Sequence, residues 1–462
     1  MQNDSIKRYV GKTPLIRAKN LEEYLGISKI YIKMEGNNPS GFLEDRLAYL
    51  MIRDALDKGR DTICMGIPGR IMVSVAFISK YFDIDCVFYV PKNSKLPKKS
   101  VFKECENVEI IEYGKNSNDS VERSNEVALE KDWYNGNVGQ ENNLLYNYTY
   151  SYLAKELSSQ QDEKIDTVFC QTGQGSSISG LYWGFKQLWI DEELKKVPKL
   201  YACSTAEGNS IVESFNQGSR ELMLTKPKPN SKTKYNSEFI KKAKYNAQEA
   251  LNAIYETQGG AVGIDDKELL PAKRKLQELE RIKLTAANAL PIATFMKLAE
   301  QGKITDGVHI IVLKDGKVDL DVTKVTRDTL PVPYDKFVEL LHTWLTEYTD
   351  PVFEINEALE KAFKDGHVLC AYQHGKLVGI SVIIKTGFEA FFPRFHLGYI
   401  ATKKDIKGRG IGTQILQKAV EVTDGHLSLH VDTKNRNAVK LYEKIGFKRK
   451  YFRMIYEGID KQ

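Results

Sequence analysis

The strongest constraint on how this chain folds is an alternation that runs through its first two thirds. Short runs of β-branched and aromatic residues alternate there with segments whose apolar residues recur at helical spacing. Ile30-Tyr31-Ile32-Lys33-Met34 reads as a strand, and residues 46–58 as an amphipathic helix. Residues 72–81 are apolar enough for a buried helix. Val87-Phe88-Tyr89-Val90 is again a strand, stopped at Pro91. Thr167-Val168-Phe169-Cys170 leads into a Gly/Ser stretch and another apolar helix, and His309-Ile310-Ile311-Val312-Leu313 closes the series. Strand, helix, strand in repetition predicts an α/β domain whose parallel sheet is covered on both faces.

The chain has 462 residues, against roughly 150 for a typical domain. The pattern changes over residues 318–334, which hold Pro331 and Pro333. Helices are expected near 335–347 and 355–364, then a hairpin of residues 368–372 and 377–385 around His374-Gly375-Lys376. The expected domains are therefore 1–318 and 319–462. The Pro/Lys/Ser-rich stretch 226–234 reads as an exposed loop.

Composition removes several functions. There are 67 lysines and arginines against 61 acidic residues, a formal charge of +6 without a basic, aromatic-laced cluster, so no nucleic-acid partner is expected. No apolar run is long enough to span a membrane, and no signal peptide is expected, since the opening Met1-Gln2-Asn3-Asp4-Ser5 has no apolar stretch behind a basic head. The six cysteines form no CxxC pair, and several lie in apolar strands such as Cys86-Val87-Phe88. They read as reduced core thiols of a cytoplasmic protein, with no metal site. All seven histidines lie at or after His309, so histidine chemistry belongs to the C-terminal part.

That part carries the sharpest local signal. His396-Leu397-Gly398-Tyr399-Ile400-Ala401-Thr402 is a strand, Lys407-Gly408-Arg409-Gly410-Ile411-Gly412 a glycine-rich turn, and the next residues an apolar helix to Val422. Glycines let a ligand approach the backbone, and the free amides and dipole of a helix start suit a pyrophosphate. Downstream, Asn435, Ala438, Leu441, Tyr442, Gly446 and Phe447 follow the strand end at His430. Together these motifs resemble the GNAT acetyltransferases over about residues 320–458. The family's Q/R-x-x-G-x-G/A appears with Lys407 at its first position, and N-x-x-A-x-x-L-Y-x-x-x-G-F is present in full.

The resemblance implies acetyl-CoA as donor, its pyrophosphate on the amides of 406–412 and its arm along Ile400. It implies that Asn435 helps hold the pantetheine or substrate side. Tyr442 would protonate the leaving thiolate, an acid of pKa about 10 facing a thiol of about 8.5. Tyr442 as a packing aromatic remains the alternative. His396 is a candidate base for the attacking amine, since it titrates near neutrality. A surface histidine, with Glu389 or a water chain as base, is the alternative.

The N-terminal part carries a second resemblance. Gly11-Lys12-Thr13-Pro14-Leu15 and Lys33-Met34-Glu35-Gly36-Asn37-Asn38-Pro39-Ser40-Gly41 resemble the fold-type II pyridoxal-phosphate enzymes, such as threonine synthase and cysteine synthase. The family's N-P-S/T-G-S-F-K-D-R reads here Asn38-Pro39-Ser40-Gly41-Phe42-Leu43-Glu44-Asp45-Arg46. The Schiff-base lysine falls on Glu44, and a carboxylate forms no imine. The asparagine of the family's S-x-G-N loop falls on Arg70, in Ile67-Pro68-Gly69-Arg70. The phosphate loop is matched by Gly173-Gln174-Gly175-Ser176-Ser177-Ile178-Ser179-Gly180, and Lys314-Asp315-Gly316 stands where a Ser or Thr would meet the pyridine nitrogen. The fold implied is a two-lobed parallel-sheet domain over about 8–316, followed by the GNAT domain.

Pyridoxal phosphate is in doubt, because the lysine is missing. Three readings of this domain stay open: a module binding an amino acid or anion, with Glu44 and Arg70 as a charge pair; a structural or dimerising scaffold; or a site holding the cofactor without a covalent bond. For the whole chain, the first expectation is an acetyltransferase acting on a small-molecule amine or amino acid, assembled as a homodimer by analogy. A ligand-sensing regulator is the second, and a retained lyase or synthase the third.

Overall fold

A computed structural model describes residues 6–7, 10–66, 69–92, 94, 101–102, 105–140, 142–224, 244–373, 375–389, 392–403, 410–432 and 434–450. The chain forms two compact units, one running from Met1 to Asp319 and one beginning at Leu320. The loop expected at 226–234 lies outside the described residues, as does His374 of the expected turn.

The first unit has twelve described strands. In chain order they are β1 (Leu15–Arg17), β2 (Ile30–Met34), β3 (Thr62–Met65), β4 (Asp85–Val90), β5 (Val108–Glu112) and β6 (Tyr134–Asn135). Then come β7 (Thr167–Gln171), β8 (Lys199–Thr205), β9 (Gly260–Ile264), β10 (Ile282–Lys283), β11 (His309–Leu313) and β12 (Lys317–Val318). Four of its helices matter here: α1 (Asp45–Asp57), α2 (Arg70–Ser79), α3 (Asn143–Gln160) and α4 (Ser176–Ile190).

Two sheets make two lobes. One has the order β1-β2-β11-β7-β8-β9, parallel except for β1. The other is the parallel β5-β4-β3-β6. The β-branched run of β11 is buried at every position, as a strand covered on both faces must be. By contrast β5 lies at a sheet edge with exposed Glu109 and Glu112. The main core joins β7, β8 and β11 to α3 and α4 through Val168, Leu200, Ile310, Leu153 and Phe185.

The glycines of α4 explain its tight packing on α3: a Cβ on Gly180 would meet the Asn147 carbonyl at 2.3 Å, and one on Gly184 the Ser151 carbonyl at 2.6 Å. The expectation of a doubly covered parallel sheet therefore holds.

In the second unit β13 (Asp321–Val325), β14 (His367–Gln373), β15 (Lys376–Lys385), β16 (Phe395–Thr402) and β17 (Leu427–Leu429) form one sheet in sequence order. Its helices are α5 (Tyr334–Leu345), α6 (Val352–Asp365), α7 (Ile411–Val422) and α8 (Arg436–Ile445). The hairpin is present: β14 pairs antiparallel with β15 down to Gln373↔Lys376. α5 buries Phe337, Val338, Leu341 and Trp344, one helical stripe facing the sheet. Among the described strands of this sheet only β16 and β17 run parallel.

Candidate functional site

In the first unit the motif residues lie where the two lobes' elements meet, and most of them hold shape. Arg46, on α1, forks onto Glu35 with bonds of 2.8 and 2.7 Å and reaches Glu156 at 2.9 Å. Glu35 also accepts from Thr13 Oγ1 at 2.6 Å and from Asn38 Nδ2 at 2.8 Å, while Asn38 Oδ1 accepts from the Gly11 amide at 2.8 Å. Lys33 is fully buried and bonds Glu156 and Gln160. Burial opposes the Glu156 charge, but Arg46 and Lys33 outweigh it and hold the carboxyl at about 2.

Asp45 differs: burial dominates and pushes it up to about 6, against bonds from Ser40 and Ser74. The two motifs Gly11–Leu15 and Lys33–Arg46 are thus stitched together by one buried charge network. Gly36 is required by the same close packing, since a Cβ there would meet the Gly316 carbonyl oxygen at 2.0 Å.

Glu44 and Arg70 do pair: Glu44 Oε1 lies 3.1 Å from Arg70 Nη2. The other arm of Arg70 donates to Asn288 Oδ1 at 2.8 Å, and Asn288 donates to Asp315 Oδ2 at 2.7 Å. Glu44 Oε2 is buried with no partner, and so is the Tyr146 hydroxyl on α3. The Leu43 amide donates to the Lys314 carbonyl at 3.0 Å, which ties the chain beside Glu44 to the end of β11.

Lys314 is 8% exposed, with its ammonium 5.2 Å from the centre of the Tyr150 ring. Burial works against its charge, but Tyr150, Cys170 and Glu44 raise its pKa above the usual lysine value. Ile67 and Pro68 lie outside the described residues.

The expected phosphate loop joins β7 to α4. Gly175 has φ +98°, and a Cβ there would meet the Asn246 carbonyl oxygen at 2.3 Å. Ser176 Oγ accepts from Asn246 Nδ2 at 2.9 Å, and Ser177 Oγ donates to the Gln171 carbonyl at 2.9 Å. Gly173 lends its carbonyl to Asn209 Nδ2 at 3.1 Å. The amides of Ile178 and Ser179 both donate to the Gly175 carbonyl at 3.0 Å, which leaves those of Ser176 and Ser177, at the start of α4, without an acceptor in the helix. Thr172 Oγ1, at the entry to the turn, is buried and unpartnered.

In the second unit β16 is the organising strand. Its pairing with β17 runs from Phe395↔Leu427 to Leu397↔Leu429 and stops there, so among the described residues no strand pairs with β16 from Gly398 to Thr402 on that side. The register with β15 shifts at the same place, from Val382↔Tyr399 to Ile383↔Leu397, leaving Gly398 as an inserted residue. The bulge reverses the side-chain alternation. Leu397 and Ile400 pack with α7 and α8, whereas Tyr399 and Ala401 pack with α5 and α6. Tyr399 donates to Asp350 at 2.8 Å, between those two helices.

Ile400 is half-buried on this strand. Ile411 and Gly412 open α7, and Gly410 precedes them at φ +76°. Lys407, Gly408 and Arg409 lie outside the described residues.

His396 is half-buried, with Nδ1 3.0 Å from Ser428 Oγ on the neighbouring strand and its ring 4.5 Å from that of His430. Glu389 is an exposed residue, 4.0 Å from Arg394. Asn435 caps α8, its Oδ1 accepting from the Ala438 amide at 3.1 Å, which leaves its amide NH2 as the group for any ligand. Tyr442 is 9% exposed among Leu369, Ile383, Leu397 and Leu416, and burial pushes its hydroxyl up to about 12.

Some site residues escaped the sequence reading. Asn288 lies 218 residues from Arg70, and Ser428 lies 32 from His396. Neither is in any local pattern. Among the described residues no cluster of His, Cys, Asp and Glu could hold a metal ion. No described helix is long and apolar enough to cross a membrane. All six cysteines are free and buried.

Residues 6–315 match the pyridoxal-phosphate dependent enzyme family, and residues 337–447 the acetyltransferase (GNAT) family. The chain is 28% identical to the threonine synthase of Methanocaldococcus jannaschii over 307 residues, covering 66% of this chain and 74% of that protein. It is 24% identical to cysteine synthase 1 of Emericella nidulans, covering 66% and 80%. Among solved structures, threonine deaminase isoform 2 from Solanum lycopersicum superposes with a TM-score of 0.56 at 18% identity, over 68% of this chain and 82% of that one. The L-serine ammonia-lyase of Rhizomucor miehei gives 0.55 at 18%, over 66% and 93%. At that identity these superpositions speak to the fold of the first unit alone.

Proposed function

We propose that this chain, which belongs to the pyridoxal-phosphate dependent enzyme family and also carries a GNAT acetyltransferase domain, transfers an acetyl group from acetyl-CoA to the amine of a small molecule. The observation that carries this reading is the edge of β16 beyond Leu397, unpaired among the described strands and followed in sequence by Gly410 and the start of α7. An amide-bearing pantetheine arm can pair with such an edge as a strand would. The helix start behind Gly410 supplies amides and a positive dipole end for the pyrophosphate.

The reaction is a direct attack of the amine on the thioester carbonyl. The C–N bond forms, the C–S bond breaks, and a proton must leave the nitrogen while another meets the thiolate. His396 is the base in this reading, oriented by Ser428. Tyr442 is the acid. It is protonated at neutral pH and can donate to the sulfur as negative charge builds there, although its burial makes it a weaker acid than a free tyrosine. The acceptor sits on the α5–α6 side, near Asp350 and Tyr399.

In the first unit the Schiff-base lysine has been replaced by Glu44, and the domain binds the substrate or a regulatory ligand instead of performing imine chemistry. The Glu44–Arg70 pair supports this reading, since it occupies with fixed charges the place where an aldehyde would need an amine. A ligand-sensing regulator is the second reading, favoured by the unpartnered buried atoms around Glu44. Six buried free thiols suit a cytoplasmic protein, and a homodimer is the proposed assembly.

Thiol release from acetyl-CoA, measured against a panel of amino acids and polyamines, tests the proposal. One amine should drive release. Absence of acetyl-CoA binding in calorimetry would remove it.

A further inference from the structure

The pyridoxal-phosphate family implies an aldehyde cofactor, and the residues at the reactive end do not fit one. Glu44 Oε2 is a buried acceptor with no partner. An aldehyde oxygen is also an acceptor, so it cannot satisfy Glu44, and Glu44 offers no amine to condense with it. Removing water from a carboxylate oxygen without a donor is costly, so the site asks for a donor, best a charged one.

We infer that the cleft takes a primary ammonium compound that also carries a phosphate monoester: the ammonium on Glu44 Oε2, the phosphate on the turn from Gly173 to Ser177. This deepens the reading that Glu44 has replaced the lysine, and rests on it.

Four features support the assignment. Glu44 Oε1 is already neutralised by Arg70, so one oxygen is held in place and the other is left to the ligand. The Tyr146 hydroxyl, close enough to Glu44 to feel its charge, is a second buried group without a partner and can accept from the same ammonium. Lys314 supplies positive charge for the anion. It stands at the end of β11, beside the end of β7 that leads into the turn (Val312 pairs with Cys170), and among the described residues no carboxylate lies within salt-bridge reach of it. At the turn itself, the buried Thr172 hydroxyl is unpartnered and the Ser176 and Ser177 amides, the first of α4, have no intrahelical acceptor.

The site lies at the carboxyl ends of adjacent parallel strands, where ligands of α/β sheets bind. Two sources share this chemistry. One is the amine form of the family's cofactor, pyridoxamine 5′-phosphate. The other is a small aminoalkyl phosphate.

Calorimetric titration of the full chain separates the outcomes. The probes are pyridoxamine 5′-phosphate, phosphoethanolamine, pyridoxal 5′-phosphate, ethanolamine and inorganic phosphate. At least one of the first two should bind tenfold or more tighter than each of the other three, and which of them wins identifies the source. Glu44→Gln should weaken the ammonium ligands about tenfold and leave inorganic phosphate unchanged, its fold checked by circular dichroism.

Glu44→Lys should condense with pyridoxal 5′-phosphate, losing water and gaining the visible absorption of an imine; no absorption would place residue 44 away from the aldehyde carbon and overturn the inference. Equal or tighter binding of pyridoxal 5′-phosphate by the native chain overturns it too, as does a borohydride-trapped adduct on Lys314. If none of the probes binds while acetyl-CoA still releases thiol with an amine, this inference falls and the acetyltransferase reading stands.

Discussion

The two candidate sites share a device, a strand followed by a positive-φ glycine at a helix start (Gly175 before α4, Gly410 before α7), yet they differ in what surrounds it. Around β16 and α7 the residues that would do chemistry are present: His396 with Ser428, and Tyr442. In the first unit the residues between β2 and α1 hold shape, and position 44, where the resemblance puts the Schiff-base lysine, is a glutamate. Glu35, Asn38, Arg46 and Gly36 knit two motifs into one buried network, while position 44 holds a carboxylate paired with Arg70. A motif therefore mixes two kinds of residue, and a scaffold part can match while a reactive position differs.

That division can be broken by mutation. The largest effect should come from the scaffold. Arg46→Ala leaves Glu35 buried without its partner, and loss of one member of a buried pair costs about 3–5 kcal/mol. Urea unfolding of the first unit should show it, and a cost below about 1 kcal/mol would mean that the network does not hold the motifs.

The next effect is smaller and depends on pH. Asp45 titrates at about 6 in the fold against 3.8 unfolded, so its protonated form favours the native state. Its contribution is fully present below about pH 3.8 and is lost as pH rises through about 6. Glu156, held at about 2, acts in the opposite sense, its contribution lost as pH falls below about 4.5 towards 2. Asp45→Asn should flatten the pH dependence of the urea midpoint between pH 4 and 6. An unchanged slope would assign that dependence elsewhere.

The smallest stability effect should come from the Glu44–Arg70 pair. The two side chains are 16% and 26% exposed, and a partly solvated pair is worth about 1 kcal/mol or less. Arg70→Ala should therefore barely move the urea midpoint. A loss as large as that of Arg46→Ala would make the pair part of the scaffold and erase the contrast.

Much of this was legible in the sequence, for a physical reason. Buried parallel strands such as β11 are continuous β-branched runs, and turns need glycine, so β2, β7, β11 and the β14–β15 hairpin were readable from local pattern. The Glu44–Arg70 contact was readable because two motif positions pointed to one cleft. What escaped depends on chain topology. The reach of Arg70 to Asn288, and the seat of Lys314 against the Tyr150 ring, are fixed by how distant elements come together. The bulge at Gly398 leaves no composition signal that sets it apart from any glycine in a strand. Asn435 shows the converse: its motif pointed to a ligand, and its carbonyl oxygen is spent on capping α8.

The most direct test of the central claim is thiol release from acetyl-CoA by the intact chain and by its Tyr442→Phe variant, with acetyl-CoA affinity measured in both. The account predicts equal affinity and at least a tenfold lower rate in the variant, about 1.4 kcal/mol of barrier. Equal rates would make Tyr442 a packing residue of the second core and contradict the assignment of the acid.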